Sequence, residues 1–412
     1  MDKFIHALTK YKTVYKDNFI AIALNILFIS ISIPALLSTT NATCLSSSLS
    51  YFIVLCRYAI LGTTFLLVLK NSLNSRFLIL LGLWIFLFGI TAITTPDTIP
   101  YLPHSLARSL NSFLIAYFLL VLKDKKKFMD ILTIFSCLYH LILVLFLCNL
   151  TIKGQLSHFC ETEKGNYMAF SYSMLPFTLC IIYNAFKTNK IFYWIISLIG
   201  FIVLLLFGCR GALASVIVYF FVLYFRKCYT SRKLSRFIVF SLLISFITFI
   251  SIIFLMEFNN IIKNEIGINS YIINSFFRDP SNFGSGRDKI WKKSIDGAIT
   301  NIHFKGLHAD TVYLYPSNYS HNIILELLYD FGIIIGFIIT FLLFALVSKT
   351  ILSPHDNANN DIKIYLLSTF WVKLMVSNTF MLESWFWIWL ILILDDLTIS
   401  FNEIKQKRIT IC

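Results

Sequence analysis

Charged residues are scarce in this sequence. Asp, Glu, Lys and Arg make up 14% of its 412 residues, against about 25% in a typical soluble domain. It also lacks any polar stretch long enough to bury a core of its own, so we expect no separate soluble domain. Hydrophobic residues reach 58%, and they recur in apolar runs of the roughly 20 residues that cross a bilayer. The composition therefore predicts a polytopic helical membrane protein.

Motifs for metals, disulfides and nucleotides are lacking as well. The nine cysteines include no C-x-x-C pair, and most lie in apolar runs, as small core residues do. His303, His308 and His321 lack H-E-x-x-H spacing, and no Walker motif occurs. We therefore predict no metal, nucleotide or other cofactor. The net charge of +14 comes mostly from short loops, so it predicts orientation in a bilayer rather than nucleic acid binding.

The apolar runs predict an all-α fold with about twelve transmembrane helices. The predicted spans are residues 18–37, 50–69, 76–93, 105–122, 128–150, 166–186, 191–207, 212–225, 236–256, 321–347, 362–380 and 385–399. Spans seven and eight are short, and a single re-entrant hairpin is the alternative for them.

Three segments follow from these spans. Residues 1–258 carry spans one to nine, residues 259–320 form one long loop with an amphipathic helix, and residues 321–412 carry the last three spans and a tail. Lys and Arg are concentrated in the loops on the N-terminal side, whereas the short loops opposite contain only Lys153, Lys164 and Arg210. This asymmetry predicts cytoplasmic termini and an extracytoplasmic long loop.

Arg210 lies between spans seven and eight in the sequence Gly208-Cys209-Arg210-Gly211-Ala212. An arginine at membrane depth costs roughly 2.5–3.5 kcal/mol on insertion scales, and less near an interface. Two readings are open: the side chain snorkels to lipid headgroups, or it faces a cavity and clamps an anion. Small neighbours favour the second reading, because they let a ligand approach closely.

Arg287 lies in the long loop, just before apolar residues with helical spacing. These residues are Ile290, Trp291, Ile295, Ala298 and Ile299. Ser285 and Asp288 have the spacing of a capping pair, which places Arg287 in the first turn, where its charge opposes the helix dipole. A charge in that position favours a phosphate site formed by the helix N-terminus and the guanidinium. A solvated loop arginine is the alternative.

His321 follows Ser320 at the entrance of span ten. An imidazole titrates near neutrality and can take a proton from a hydroxyl, so His321 is the candidate general base. A helix cap or an interfacial residue is the alternative. Asn322 and Glu326, the latter about one turn further on, are the candidates to orient the base and to bind substrate.

Other polar residues are weaker candidates. His303 and His308 share the long loop with Arg287 but lack the motif context of His321. Three cations inside or beside predicted spans need polar surroundings and are candidates to line the same cavity: Arg57, Arg108 and Lys373.

Four short motifs resemble the O-antigen ligase/polymerase superfamily. They are C-R-G-A-L at Arg210, G-S-G-R-D-x-x-W at Arg287, K-G-L-H ending at His308, and S-H-N-x-x-L-E-x-x-x-x-x-G around His321. The motifs cover spans seven to ten, and the likeness in topology covers the whole chain. The chain departs from the family pattern at His308, where a second glycine near Gly306 is typical.

This resemblance implies that Arg210 and Arg287 bind the diphosphate of a polyprenyl donor and that His321 activates the acceptor. The implied function is a polymerase of surface polysaccharide (O-antigen, capsule or exopolysaccharide). Such an enzyme transfers an undecaprenyl-diphosphate-linked oligosaccharide en bloc to a sugar hydroxyl of another lipid-linked unit. It acts in the bacterial cytoplasmic (inner) membrane, with its active site on the periplasmic or outer face.

Two alternatives stay open. One is an O-antigen ligase, which transfers the glycan to lipid A-core. The other is a transporter or flippase for the lipid-linked oligosaccharide, which about twelve spans would suit, although no clear internal repeat is present and the long loop divides the spans unequally. The expected partners are the lipid-linked donor, a glycan or lipid A-core acceptor and membrane lipids, with a chain-length regulator as a further candidate.

Overall fold

The computed structural model describes residues 14–31, 43–69, 75–152, 166–243, 287–300, 302–314, 319–353 and 357–411. These residues contain helices, turns and connecting segments but no β-strand. Residues 259–286 of the predicted loop and most of predicted span nine lie outside the described residues.

The described α-helices have been numbered in chain order. They are α1 (Val14–Ile31), α2 (Thr43–Leu69), α3 (Ser75–Thr94), α4 (Leu102–Val121), α5 (Lys125–Ile152), α6 (Asn166–Thr188), α7 (Ile191–Phe207), α8 (Arg210–Thr230), α9 (Leu234–Leu243), α10 (Arg287–Ile299), α11 (Ala309–Tyr313), α12 (Ile323–Asp330), α13 (Ile333–Leu352), α14 (Ala358–Val376) and α15 (Ser384–Ile411). Two 3₁₀ turns, Pro96–Thr98 and Phe380–Leu382, lie between helices.

Seven of the described helices are long and apolar enough to cross a membrane: α1, α3, α4, α5, α6, α8 and α13. Shorter apolar helical stretches occur at Phe52–Val68 in α2, in α7 and in α9. The prediction of an all-α helical membrane protein is therefore confirmed. The count of about twelve spans and the direction in which the long loop faces stay predictions.

Two differences from the predicted spans concern the candidate site. Predicted span ten, residues 321–347, is broken into α12 and α13 at Gly332, whose φ of 76° belongs to the left-handed region. A Cβ on Gly332 would lie 2.5 Å from the Ile302 carbonyl oxygen, so a larger residue does not fit there. Predicted span eight is longer than expected, because α8 has 21 residues and is one of the candidate membrane-crossing helices.

The chain forms two compact units, each assembled from separated segments. The first contains the described parts of Met1–Ile60, Asp124–Phe283 and Pro354–Asp361. The second contains those of Leu61–Lys123, Gly284–Ser353 and Ile362–Cys412. Helices α2 and α14 each continue from one unit into the other.

Helix α6 is the centre of the first unit. Its apolar window Met168–Thr188 is 83% buried, and it packs against α5, α7 and α8. Asn184 of α6 donates a hydrogen bond of 2.6 Å to the Thr133 hydroxyl of α5, a kind of contact that joins helices in apolar surroundings. Arg226 of α8 is buried and pairs with Asp361 at 3.4 Å. A basic residue expected in a surface loop therefore helps to hold this unit together.

The second unit has an aromatic core between α3, α4 and α15. The rings of Trp84 and Trp387 lie 4.0 Å apart, and the Trp84 indole donates to the Ser109 hydroxyl at 2.8 Å. Elsewhere in this unit, α12 packs against both α10 and α13. A Cβ on Gly297 of α10 would lie 2.4 Å from the Tyr329 ring of α12, so glycine permits this close packing.

Candidate functional site

His321 occupies a strained turn at the start of α12. Its φ of 53° lies in the left-handed region, which a non-glycine residue enters at a cost of roughly 1–2 kcal/mol. The next residue, Asn322, is the helix cap: its side-chain oxygen accepts the Ile324 and Leu325 backbone N–H groups at 2.9 and 3.3 Å. Capping, which was the alternative role for His321, thus belongs to Asn322.

The imidazole of His321 is half-buried against Tyr319, with ring centroids 4.2 Å apart. The pKa of His321 is lowered to about 4: burial is the largest cause, the Arg287 charge acts in the same direction, and a hydrogen bond with the Ser377 backbone opposes both. Nδ1 of the ring is buried and has no hydrogen-bond partner among the described residues. The ring is therefore neutral at physiological pH, and one of its nitrogens is uncommitted.

Arg287 is brought to this turn by α10. It is the first described residue of that helix, and its charge adds to the lowering of the pKa of His321. Burial raises the pKa of Tyr319 to about 12, and the Arg287 charge opposes that shift. Ser294 lies two turns further along the same face of α10, is fully buried, and donates a long hydrogen bond of 3.4 Å to the Ser320 hydroxyl. The face of α10 that carries Arg287 therefore packs toward the residue before His321.

The buried face of α10 matches the predicted one only in part. Ala298 is buried, and Ile290 and Trp291 are half-buried, as the spacing predicted. Ile295 and Ile299 are instead 45% and 62% exposed, and Ser294 is buried. The apolar spacing correctly predicted a helix, but the close contact at Gly297 turns Ser294 inward instead of these two isoleucines.

Glu326 lies within the protein rather than at its surface. Its carboxylate is fully buried and accepts the Thr379 hydroxyl and the Phe380 backbone N–H, the latter at 3.2 Å. Burial raises the pKa of Glu326 well above its usual value, and the charges of Asp310 and Asp330 add to the effect. The carboxylate thus ties α12 to the 3₁₀ turn that follows α14.

Asp310, Glu326 and Asp330 form a buried acidic cluster, with one oxygen of each within 4.8 Å of the others. A cation could be held by such oxygens, but hydrogen-bond donors already surround them. Asp330 accepts the backbone N–H groups of His308 and Asp310, both at 3.0 Å. Burial raises the pKa of Asp330 well above normal, and that of Asp310 is raised as well. This arrangement favours shared protons over a metal ion.

The turn before α11 contains two residues with left-handed backbone, Gly306 and His308. Both Gly306 and His308 have positive φ, 99° and 64°, so the backbone here suits glycine at both positions. His308 is buried, and its Nε2 lies 2.6 Å from the Ser105 hydroxyl, a contact that compensates for backbone strain. Burial lowers the pKa of His308 to about 4, and the charge of His104 acts in the same direction. His308 therefore connects this turn to α4.

Arg210 belongs to the other unit. It is the first residue of α8, after a link of only two residues, Gly208 and Cys209, from the end of α7. The Cys209 backbone N–H donates to the Ser171 hydroxyl at 2.8 Å, and a Cβ on Gly208 would lie 2.2 Å from the Leu204 carbonyl oxygen. This tight link fixes Arg210 at the N-terminus of α8. Arg287 is likewise held in place by a helix, α10.

Two of the three remaining cations, Arg108 and Lys373, contact the segment between α14 and α15. Lys373 pairs with the buried Glu383 at 2.6 Å, and Glu383 also accepts the Asn378 amide at 2.7 Å. Arg108 donates to the Leu382 carbonyl at 3.0 Å. Arg108 and Lys373 thus both hold the segment between α14 and α15, which contributes Ser377 and Thr379 to the site.

Sequence reasoning missed Asp310, Asp330 and Glu383. Each is an acidic residue near a helix end in a chain where acidic residues are few, and that rarity was the available signal. The structure places four of the predicted site residues in one unit: Arg287, His321, Asn322 and Glu326. The motif spacing predicted that the last three lie close together.

The chain matches no family model, no curated protein and no solved structure. The arrangement itself offers a neutral imidazole with a free nitrogen, a guanidinium at a helix N-terminus and buried hydrogen-bonding supports. Such a site is able to bind an anionic group and to accept a proton from a neighbouring hydroxyl.

Proposed function

We propose that this protein is a membrane glycosyltransferase that polymerises the repeat units of a surface polysaccharide. The observation that carries the proposal is the pairing of a neutral His321, with its uncommitted Nδ1, and the nearby Arg287 charge. Nδ1 of His321 lacks a hydrogen-bond partner among the described residues, and the hydroxyl group of an acceptor sugar would supply one. An anionic donor is the partner that a guanidinium at a helix N-terminus prefers.

In the proposed reaction, the donor is an oligosaccharide linked to a polyprenyl diphosphate. Arg287 binds the diphosphate through its planar fork, and Arg210, which belongs to the other unit, is a second candidate to bind the donor. A sugar hydroxyl of the acceptor forms a new C–O bond at the anomeric carbon of the donor while His321 takes the hydroxyl proton. The anomeric bond to the diphosphate breaks, and the polyprenyl diphosphate leaves with the electron pair. No nucleotide is needed, because the donor linkage supplies the energy.

An apolar cleft of about 210 Å³ in the second unit suits an amphiphilic donor. Trp84, Phe113 and Trp387 are among the residues that line it. The Trp387 ring lies 5.9 Å from Phe380, whose backbone N–H donates to Glu326. The lining includes none of the polar residues around His321, so the cleft is proposed to take part of the lipid tail and not the charged head.

The test is an assay of the purified protein with a lipid-linked repeat unit in detergent. A polymerase yields a ladder of longer glycans, a ligase yields product only when lipid A-core is added, and a flippase forms no new bond. Arg210→Lys and Arg287→Lys should both weaken donor binding, because lysine keeps the charge but loses the fork. If no new glycosidic bond forms with any of the acceptors, the proposal is refuted.

A further inference from the structure

The strain at His321 raises the question of what holds this residue in place. Non-glycine residues in the left-handed region persist where the surrounding structure determines the backbone on both sides. On the C-terminal side, Asn322 caps α12 and its amide donates to the Met375 carbonyl at 3.2 Å. A support of comparable strength is therefore needed on the N-terminal side.

That support is the carboxylate of Asp310. One oxygen, Oδ2, accepts both the backbone N–H and the hydroxyl of Ser320, each at 2.8 Å. Both residues are fully buried, so water does not compete for these bonds. Breaking such buried hydrogen bonds is costly, because no water replaces the lost partner.

Asp310 is itself fixed by Asp330, which accepts its backbone N–H at 3.0 Å. The Thr311 hydroxyl donates at 3.2 Å to the other carboxylate oxygen of Asp310, the one that does not contact Ser320. The contacts thus run from α12 through Asp330 and Asp310 to Ser320, and return to the start of α12 at His321.

We propose that Asp310 is a positioning residue for His321, acting through Ser320 to aim the imidazole at the acceptor. The proposal rests on the function proposed above. Asp310 accepts two hydrogen bonds from the residue that precedes the base, so it fixes the backbone from which the ring projects. A misplacement of about 1 Å in a reacting group can cost roughly 10²-fold in rate, which sets the size of the effect.

Several charged or titratable groups surround this pair. Arg287 on α10, Asp310 on α11, Glu326 on α12 and Glu383 before α15 all act electrostatically on Tyr319, whose ring contacts His321. Asp330 is the third member of the acidic cluster around Asp310. A pH profile of any variant must therefore be compared with a variant that leaves these charges unchanged.

The test uses the full-length protein and four variants. Asp310→Ala removes both bonds to Ser320, and Ser320→Ala removes only the hydroxyl bond. Asp310→Asn keeps an acceptor oxygen, and Thr311→Val is the matched control, because it removes a donor from the same carboxylate without touching Ser320. The measurements are kcat and KM for glycan transfer, the pH profile of the rate, and amide hydrogen exchange of residues 319–322.

We expect Asp310→Ala to lower kcat by about 10²-fold with the KM for donor little changed. The acid limb of its pH profile should move upward, because a loosened imidazole is better hydrated. Asp310→Asn should recover most of the rate, Ser320→Ala should be intermediate, and Thr311→Val should behave as wild type. Amide hydrogen exchange at residues 319–322 should be faster than wild type in Asp310→Ala but not in Thr311→Val.

Three results would overturn the proposal. They are a kcat of Asp310→Ala within about twofold of wild type, an equal loss in Thr311→Val, and a loss of active protein with no change in the acid limb or in local exchange. Failure of the proposed function is a separate outcome, recognised when wild-type protein forms no product. Even then, the exchange measurement still decides whether Asp310 holds the turn.

Discussion

The charge of Arg287 should set the lower pH limit of activity through His321. Burial is the larger cause of the low pKa of His321, about 4, and repulsion by Arg287 is the second. Both causes disfavour the imidazolium ion, so the base-competent neutral ring persists to lower pH than in an ordinary histidine. We expect the acid limb of kcat/KM in the wild-type protein to have its midpoint near the pKa of about 4.

The lowered pKa of His321 should change kcat/KM enough to measure. At pH 5.5 an imidazole of pKa about 4 is roughly 97% neutral, whereas one with the ordinary value of about 6.5 is only about 10% neutral. Wild-type kcat/KM at pH 5.5 should thus be close to its value at pH 8. A histidine with an ordinary pKa would give a loss of about tenfold.

Two substitutions separate the charge of Arg287 from its geometry. Arg287→Gln removes the repulsion, so the midpoint should rise, but it should stay below about 6.5 because burial remains. Arg287→Lys keeps the charge, so the midpoint should stay low while donor affinity falls with the loss of the planar fork. Initial rates between pH 4 and 8, with lipid-linked donor and purified protein, measure both effects.

Two controls make the result interpretable. Protein held at low pH and assayed at pH 7.5 reports irreversible damage, and the residual rate of His321→Asn gives the baseline of other titrating groups. A wild-type midpoint near 6.5, or identical midpoints in the Gln and Lys variants, would refute the electrostatic link between Arg287 and His321.

Three further predictions concern the base, the acidic cluster and the topology. His321→Asn keeps a residue that tolerates the left-handed region, so the protein should fold and bind donor but lose about 10²–10⁴-fold in transfer rate, whereas the exposed His303→Ala should lose little. Near-normal transfer by His321→Asn would exclude the base. Because the pKa values of Glu326 and Asp330 are raised in the folded state, the fold binds protons that the unfolded chain releases. These two groups should therefore stabilise the fold fully below their ordinary pKa values, and this contribution to thermal stability should be lost as pH rises through their raised pKa values. Glu326→Gln should reduce this pH dependence of thermal stability, and an unchanged dependence would contradict the raised pKa of this carboxyl group. Asp296 is exposed on α10, so Asp296→Cys in a cysteine-depleted protein should react with an impermeant thiol reagent from outside intact spheroplasts, and labelling only after permeabilisation would reverse the predicted topology.

Helix positions were predictable where a long apolar run ends in polar residues. Predicted span three, residues 76–93, corresponds closely to α3 (Ser75–Thr94). The break in span ten was not predictable from hydropathy, because α12 and α13 are both apolar. It depends on Gly332, whose conformation and contact with the Ile302 carbonyl are set by tertiary packing.

The candidate site was also predictable only in part, because tertiary packing creates some of its contacts. The motif around His321 placed this histidine, Asn322 and Glu326 along one segment. Asp310 lies ten residues before Ser320 in the chain and accepts two hydrogen bonds from it. No local periodicity pairs them, so their contact appears only once the chain has folded. The choice of Asn322 over His321 as the helix cap, by contrast, follows the known preference for asparagine at that position.

A base with a pKa near 4 is weak, and donor binding should strengthen it. The diphosphate would neutralise Arg287, which removes the second cause of the low pKa of His321. The imidazole would then accept a proton more readily once the donor is bound, so the site would become reactive only when it is loaded. The acid limb of kcat, which reports the enzyme–substrate complex, should therefore lie at higher pH than that of kcat/KM, which reports the free enzyme. Measuring the acid limbs of kcat and of kcat/KM with the same donor tests this prediction. If they coincide, or if the kcat limb lies lower, donor binding does not relieve the repulsion, and Arg287 and the diphosphate do not meet beside His321.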